Sequence, residues 1–221
     1  MPKASKFKNI LKIFYYQLSP LLKKKEFKGI EVYIVSHGGV GTTFLAEYIS
    51  NYKKTNDPYD RDKIKHLPRP PSFVGKDCVI LYIYGNPKTA AKSLYRRGYQ
   101  NLQKYKNGSI SPSSLPSTFR SYFDKQNDSL CLTRHLKKWK NSKKIKNKLI
   151  FIHYDKIWDH LEDLLLELSI PTTESLTFPK RKVRKTSIVD EDENLTEMYF
   201  EYMQIEELLG GFYVKNATTR P

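Results

Sequence analysis

This 221-residue chain lacks long apolar runs: its first apolar stretch, "ILKIFYYQL", is short and interrupted by a lysine. Crossing a bilayer takes roughly 20 apolar residues, so no spanning helix is expected. A small-residue cleavage site of the kind that follows a secretory leader is also missing. The expectation is a cytoplasmic protein, with peripheral contact to a membrane left open. Cysteine is scarce as well. Cys78 and Cys131 are too few for a disulfide scaffold, and Cys78 sits in an apolar, strand-like run, so both are expected to be reduced structural thiols. Negative charge is short too, with 23 Asp and Glu against 39 Lys and Arg, a net charge of +16. The acids crowd the C-terminal third around "DEDE", which leaves the first 185 residues more basic than the average. Such a field attracts polyanions: a nucleic acid, an anionic membrane, a sulfated or phosphorylated glycan, or a nucleotide with several phosphates. No nucleic-acid recognition motif appears, so nucleic acid is not the expected partner.

What is present is a chain long enough for one domain with a sizeable core. Residues 1–28 read as a basic amphipathic helical segment, and 29–221 as a single domain. In the first segment Phe7, Ile10, Leu11, Phe14, Leu18 and Leu21 share a helical stripe, Lys3, Lys6, Lys8 and Lys12 lie largely elsewhere, and Pro20 predicts a break. The stripe either attaches to a membrane surface or packs on the domain that follows. Three short β-rich runs then alternate with helical patterns: "IEVYIVS" before "TTFLAEYISNYKK", "CVILYIYG" before "KTAAKSLYRRGYQNLQKY", and "KLIFIHY" before "KIWDHLEDLLLELSI". Continuous apolar strands between helices predict an α/β fold, a three-layer sandwich around a central parallel sheet. The polar stretch from Lys106 to Ser129 reads as a surface excursion or a lid on the substrate side. A last helix is expected to stop at Gly210 and Gly211.

The chemistry concentrates at "SHGGVGTT", Ser36 to Thr43, between the first strand and its helix. A glycine turn at that position leaves backbone N–H groups converging at a helix N-terminus, a geometry that favours phosphate. Gly38, Gly39 and Gly41 permit the turn, and Thr42 and Thr43 add hydroxyls. A Walker loop would carry a lysine before its Ser or Thr. None is present, which weakens a kinase or NTPase reading. The loop is also similar to the "KGGVGKTT" loop of ParA-like ATPases, whose two lysines are both absent here.

Four segments, in order, resemble the sulfotransferases that use 3′-phosphoadenosine 5′-phosphosulfate (PAPS). "GVGTTFL" is similar to their "KSGTTWL" and "IKHLPRPP" to their "KTHLP". "YIYGNPKTAAKSLYRR" resembles "YLxRNPKDVAVSYY", and "LIFIHYDKIWDHLEDLLLELSI" resembles their third strand and following helix. The resemblance spans roughly Ile30 to Pro171 and implies a sulfotransferase-like fold with a P-loop-like strand, loop and helix. It implies PAPS as sulfuryl donor, no metal, and a hydroxyl acceptor such as a carbohydrate or another small molecule. It implies that Gly38, Gly39, Val40, Gly41, Thr42 and Thr43 form the loop on the 5′-phosphosulfate. Phe44 would stack on adenine, Ser93 would bind the 3′-phosphate, and Tyr154 would face the nucleotide. It makes His66 the general base with Lys65 beside it, since sulfuryl transfer needs an in-line nucleophile and a base neutral at working pH. Lys63, Lys65 and Arg69 are expected to depress the His66 pKa as neighbouring cations.

Two positions depart from the family's pattern. Gly39 stands where the family has its loop lysine, and Gly85 where it has the arginine on the 3′-phosphate. The candidate cations to replace them are Lys65, Lys88, Lys92, Arg96, Arg97, the basic loop from Lys180 through Arg184 to Lys185, and His37. The other readings are a catalytically reduced protein of the same fold that binds a nucleotide or anionic glycan, and a P-loop kinase or NTPase.

Overall fold

The computed structural model describes residues 2–125, 127–181 and 197–216, with side chains from residue 7 onward. Three strands, β1 (Val32–Val35), β2 (Val79–Tyr84) and β3 (Leu149–His153), pair in parallel in that order. Nearly every residue in them is buried, as expected of a sheet covered on both faces. Their content of Val, Ile, Leu and Tyr suits that setting. A fourth strand, β4 (Phe212–Lys215), adds to β3 in the antiparallel sense, so the sheet is mostly rather than wholly parallel. That strand was not expected, because "FYVK" is too short to stand out after a glycine pair. The α/β class with a central sheet is as the pattern predicted.

The connecting helices are α2 (Thr42–Ser50) after β1, α3 (Pro87–Arg96) and α4 (Gln100–Lys106) after β2, then α5 (Phe119–Phe123) and α6 (Leu132–Lys140). Helix α7 (Leu161–Glu167) follows β3, and α8 (Phe200–Leu209) precedes β4. Asn86 caps α3, accepting the amides of Lys88 and Thr89, with Pro87 in its first turn. The free edge of β1 is closed by a side chain. Asn56 accepts from the Ile34 amide at 2.7 Å and donates to the Ile34 carbonyl at 3.0 Å, imitating a neighbouring strand.

Helix α1 (Pro2–Leu22) is not broken at Pro20. Proline leaves the carbonyl four residues back without its usual donor. Here the Ser19 hydroxyl donates to that carbonyl, of Tyr16, at 2.8 Å, so the turn is kept. The Lys106 to Ser129 stretch is anchored rather than lid-like. Tyr122 is fully buried and shares a 2.7 Å hydrogen bond with Tyr199, and the buried Lys104 ammonium donates to the carbonyls of Ser111 and Ser113. Cys78 and Cys131 are free and buried, as expected. No helix among the described residues is long and apolar enough to cross a membrane.

Candidate functional site

The C-terminal end of β1 runs into the glycine loop, and the loop is held from below by side chains. Ser36 Oγ accepts the Gly38 amide at 3.1 Å, and Gln103 donates to the His37 carbonyl at 3.0 Å. His37 is buried, with Nδ1 2.9 Å from the Gly38 carbonyl and Nε2 2.6 Å from the Tyr202 hydroxyl, which also lies 2.9 Å from the Gly85 carbonyl. Burial pushes the His37 pKa down to about 4. The ring is therefore neutral at pH 7 and braces the loop. That corrects the expectation that His37 might serve as a replacement cation.

Gly41 takes a left-handed conformation, φ 74°, at the N-cap of α2, and the first-turn amides that follow have no acceptor within the helix. Gly39 is more constrained. Its φ is 81°, and a Cβ there would lie 2.5 Å from the backbone oxygen of Ala90 on α3. No side chain fits there, because the loop is pressed against α3. Gly85 differs, because a Cβ would meet Val40 at 3.4 Å and Tyr154 at 3.5 Å, an almost ordinary contact.

A cleft of about 400 Å³ opens beside the loop. Gly38, Gly39, Gly41, Thr42, Thr43, Lys65 and His66 all line it, so the sequence-selected loop, base and neighbouring lysine do come together. Lys65 is almost fully buried, and its ammonium donates to Thr43 Oγ1 at 3.1 Å and to the Pro58 carbonyl. Burial lowers its pKa to about 8, with Asp60, Asp57 and Asp62 pulling the other way. His66 Nδ1 lies 2.7 Å from the Ser36 carbonyl. A carbonyl can only accept, so Nδ1 carries the proton and Nε2 keeps its lone pair.

The His66 pKa is pushed down to about 3, so the ring is neutral at pH 7 although a weaker base than one titrating near working pH, and the leading reason differs from the one expected. Burial is the largest cause. Asp60 opposes it, and the cations Lys106 and Lys65 contribute less. The ring keeps some surface at the cleft, yet protein surrounds it closely enough for desolvation to dominate.

The sequence did not single out Asp60, Lys106 or Gln103 on the cleft wall. Lys106 donates to the Asp60 carboxylate, whose other oxygen accepts the Lys65 amide at 3.0 Å. Burial works against ionising Asp60, but the fields of His66 and Lys106 and these hydrogen bonds hold its carboxyl below the usual range. With His66 neutral, Lys106 is the ammonium bonded to this carboxylate, and Lys65 is a second cation within its field. The only signal in the sequence was a cluster of aspartates, "DPYDRD", which folds into a turn with Asp57 and Asp62 accepting backbone amides.

Other selected residues lie apart from the cleft lining. Phe44 packs face to face with Trp158, centroids 6.0 Å apart, and edge-on to Phe178. Tyr154 meets the edge of Trp158. Val40 is buried beneath the loop. Ser93 is partly buried on α3, and of the replacement cations on that helix and just after it, Arg97 reaches the cleft. Arg181 is engaged with Asp155 at 3.0 Å and with the Trp158 ring, while Arg184 and Lys185 lie outside the described residues. Among the described residues no cluster of His, Cys, Asp and Glu could hold a metal ion. A groove of similar size at the opposite end of the strands, lined by Phe27, Asp77 and Ser169, contains no histidine.

No family model matches the chain, and no curated protein matches it. Among solved structures, the chain is similar to a mouse sulfotransferase, SULT7A1, crystallised with PAP. The identity is 16%, the TM-score 0.45, and the match covers 87% of this chain and 89% of that one.

Proposed function

We propose that the chain transfers a sulfuryl group from PAPS to a hydroxyl-bearing acceptor, a carbohydrate or another small molecule. One observation carries the reading: two segments chosen for their resemblance to sulfotransferases, far apart in sequence, line one cleft with complementary chemistry. An anion cradle of α2 first-turn amides and threonine hydroxyls faces an imidazole held neutral with one nitrogen free. PAPS supplies an activated sulfuryl group on a phosphate leaving group. His66 Nε2 takes the proton of the attacking hydroxyl, while the Nδ1–H bond to Ser36 fixes the ring's tautomer and plane. Lys65, held on Thr43, places positive charge where the leaving phosphate gains negative charge. Lys106 and Arg97 bring further cations to the same wall. These groups stand in for a lysine that cannot exist at Gly39.

Melting curves test binding, because a ligand that prefers the native state raises the midpoint. Adenosine 3′,5′-bisphosphate should stabilise the chain and ATP should not. No shift with the bisphosphate would sink the proposal. In a transfer assay across hydroxyl acceptors, His66→Ala should abolish turnover and leave the bisphosphate shift intact; unchanged turnover would remove His66 from the base role. The absence of an arginine at position 85, where space exists for a side chain, favours a second reading. In it the chain binds the nucleotide or an anionic glycan without turnover, which the same assays report as a melting shift with no transfer.

A further inference from the structure

Helix α1 does not bury the stripe that its sequence made conspicuous. Phe7, Leu11, Phe14, Leu18 and Leu21 are 63%, 53%, 62%, 46% and 57% exposed. Their alternating spacing of four and three residues lines them along one side of the helix. The helix instead packs by its opposite side. There Tyr16 and Pro20 are buried, Asn9 donates to the Pro112 carbonyl at 2.9 Å, and α4 is the neighbouring element. Packing of the stripe on the domain, one of the two options the sequence left open, is thereby excluded. A row of large apolar side chains on one exposed helix exceeds the scattered surface residues that need no explanation.

We infer that α1 is a docking helix for an anionic lipid bilayer, lying in the interface plane with this stripe turned into the acyl boundary. Charge selects this occupant. Pro2–Leu22 contains no acidic residue, while Lys8 and Lys12 follow Phe7 and Leu11 on the flank of the stripe. Lys24, Lys25 and Lys28 are exposed just beyond the helix. A bilayer with acidic headgroups accepts both the apolar face and the lysines. A second copy of the helix does not. Pairing two such stripes would crowd lysines that no carboxylate on α1 offsets, whereas paired helices use opposite charges beside their seam. The docking does not depend on the transfer reaction, but it bears on the cleft. Lys63 lies over the Tyr15 ring and Arg69 donates to the Gln17 carbonyl at 3.4 Å, tying α1 to the segment that carries Lys65 and His66.

The test is co-sedimentation of the full chain with vesicles of phosphatidylcholine, with and without phosphatidylserine. Binding should be strong to the mixed vesicles and weak to the neutral ones. The double variant Phe14→Ser, Leu18→Ser keeps every charge and alters only exposed side chains. It should keep its melting midpoint and lose at least tenfold in partitioning. Lys8→Ser with Lys12→Ser should reduce the preference for phosphatidylserine. Equal binding by the Phe14, Leu18 variant would assign the attraction to the general surplus of charge and overturn the proposal. So would a failure to bind either vesicle, or a dimer in sedimentation equilibrium that this variant dissolves without any vesicle binding.

Discussion

Lowering the pH from 6.5 to 5 should destabilise this protein steeply, and three histidines set the size of the effect. Burial pushes the pKa of His37 down to about 4 and of His66 to about 3, and holds His135 well below its ordinary value. Neutral His66 donates through Nδ1 to the Ser36 carbonyl, and neutral His37 through Nδ1 to the Gly38 carbonyl. In His135, Nε2 donates to the Leu67 carbonyl at 2.8 Å and Nδ1 accepts from the Tyr82 hydroxyl at 2.8 Å. In the unfolded chain each ring titrates near 6.5. Between the folded and unfolded values the unfolded state therefore binds more protons, so stability falls as pH falls. Each histidine costs about 1.6 kcal/mol over this interval, about 5 kcal/mol for the three.

Among the described residues two carboxyls raised by burial, Asp62 and Asp128, oppose them, and the Asp128 shift is the larger. Asp128, accepting the amides of Leu132 and Thr133 at the start of α6, is raised by burial to about 6. Its folded form takes up the proton first, which returns about 1 kcal/mol. The net loss of about 4 kcal/mol is comparable with the whole stability of a small domain. Urea midpoints at pH 6.5, 6 and 5 measure it, with the slope in denaturant checked for constancy. In His135→Gln the pH slope should shrink by about a third, whatever the variant's absolute stability. A midpoint that stays flat between pH 6.5 and 5 would refute the claim that these rings are held neutral by burial.

Placing a lysine in the glycine loop, Gly39→Lys, should fail. The φ of 81° and the 2.5 Å approach of Ala90 O to a Cβ predict a loss of at least about 2 kcal/mol in urea unfolding and no gain in nucleotide affinity by melting shift. Tyr202→Phe removes the hydroxyl shared by His37 and Gly85, and should cost about 1–3 kcal/mol by the same measurement and loosen the loop. Lys106→Met takes from the Asp60 carboxylate, 9% exposed, the ammonium bonded to it and leaves Lys65 as the nearby cation, and should cost about 1–3 kcal/mol at neutral pH. Because the Asp60 pKa is lowered in the folded state, the stability it contributes is present above the ordinary carboxylate range and lost as pH falls through the folded value. The gap between parent and Lys106→Met should therefore close in acid, which paired urea titrations at pH 7 and pH 3 would show.

How much of this was legible in the sequence depended on whether the signal was local. The three parallel strands were legible because strands buried on both faces read as unbroken apolar runs, and the glycine loop because its positive φ values admit few other residues. The Ser19 bond that carries α1 past Pro20 is local too, but a serine before proline carries no pattern that distinguishes it from a turn. The non-local terms were invisible. Asp60 and Lys106 are 46 residues apart, and His37 and Tyr202 are 165 apart; nothing in either stretch marks it as the partner of the other. The low pKa of His66 was anticipated from nearby lysines, yet desolvation, which depends on packing density, proved the larger cause. For the same reason the sequence did not show where the positive charge of the cleft comes from. The loop closes on Ala90 where a lysine would stand, and the positive charge reaches the cleft from Lys65 on the crossing segment and Lys106 at the end of α4. Asp60 accepts the Lys106 ammonium and the Lys65 backbone amide, and its charge also acts on the Lys65 ammonium, so the field in the cleft is set by these three residues and not by one lysine on the loop.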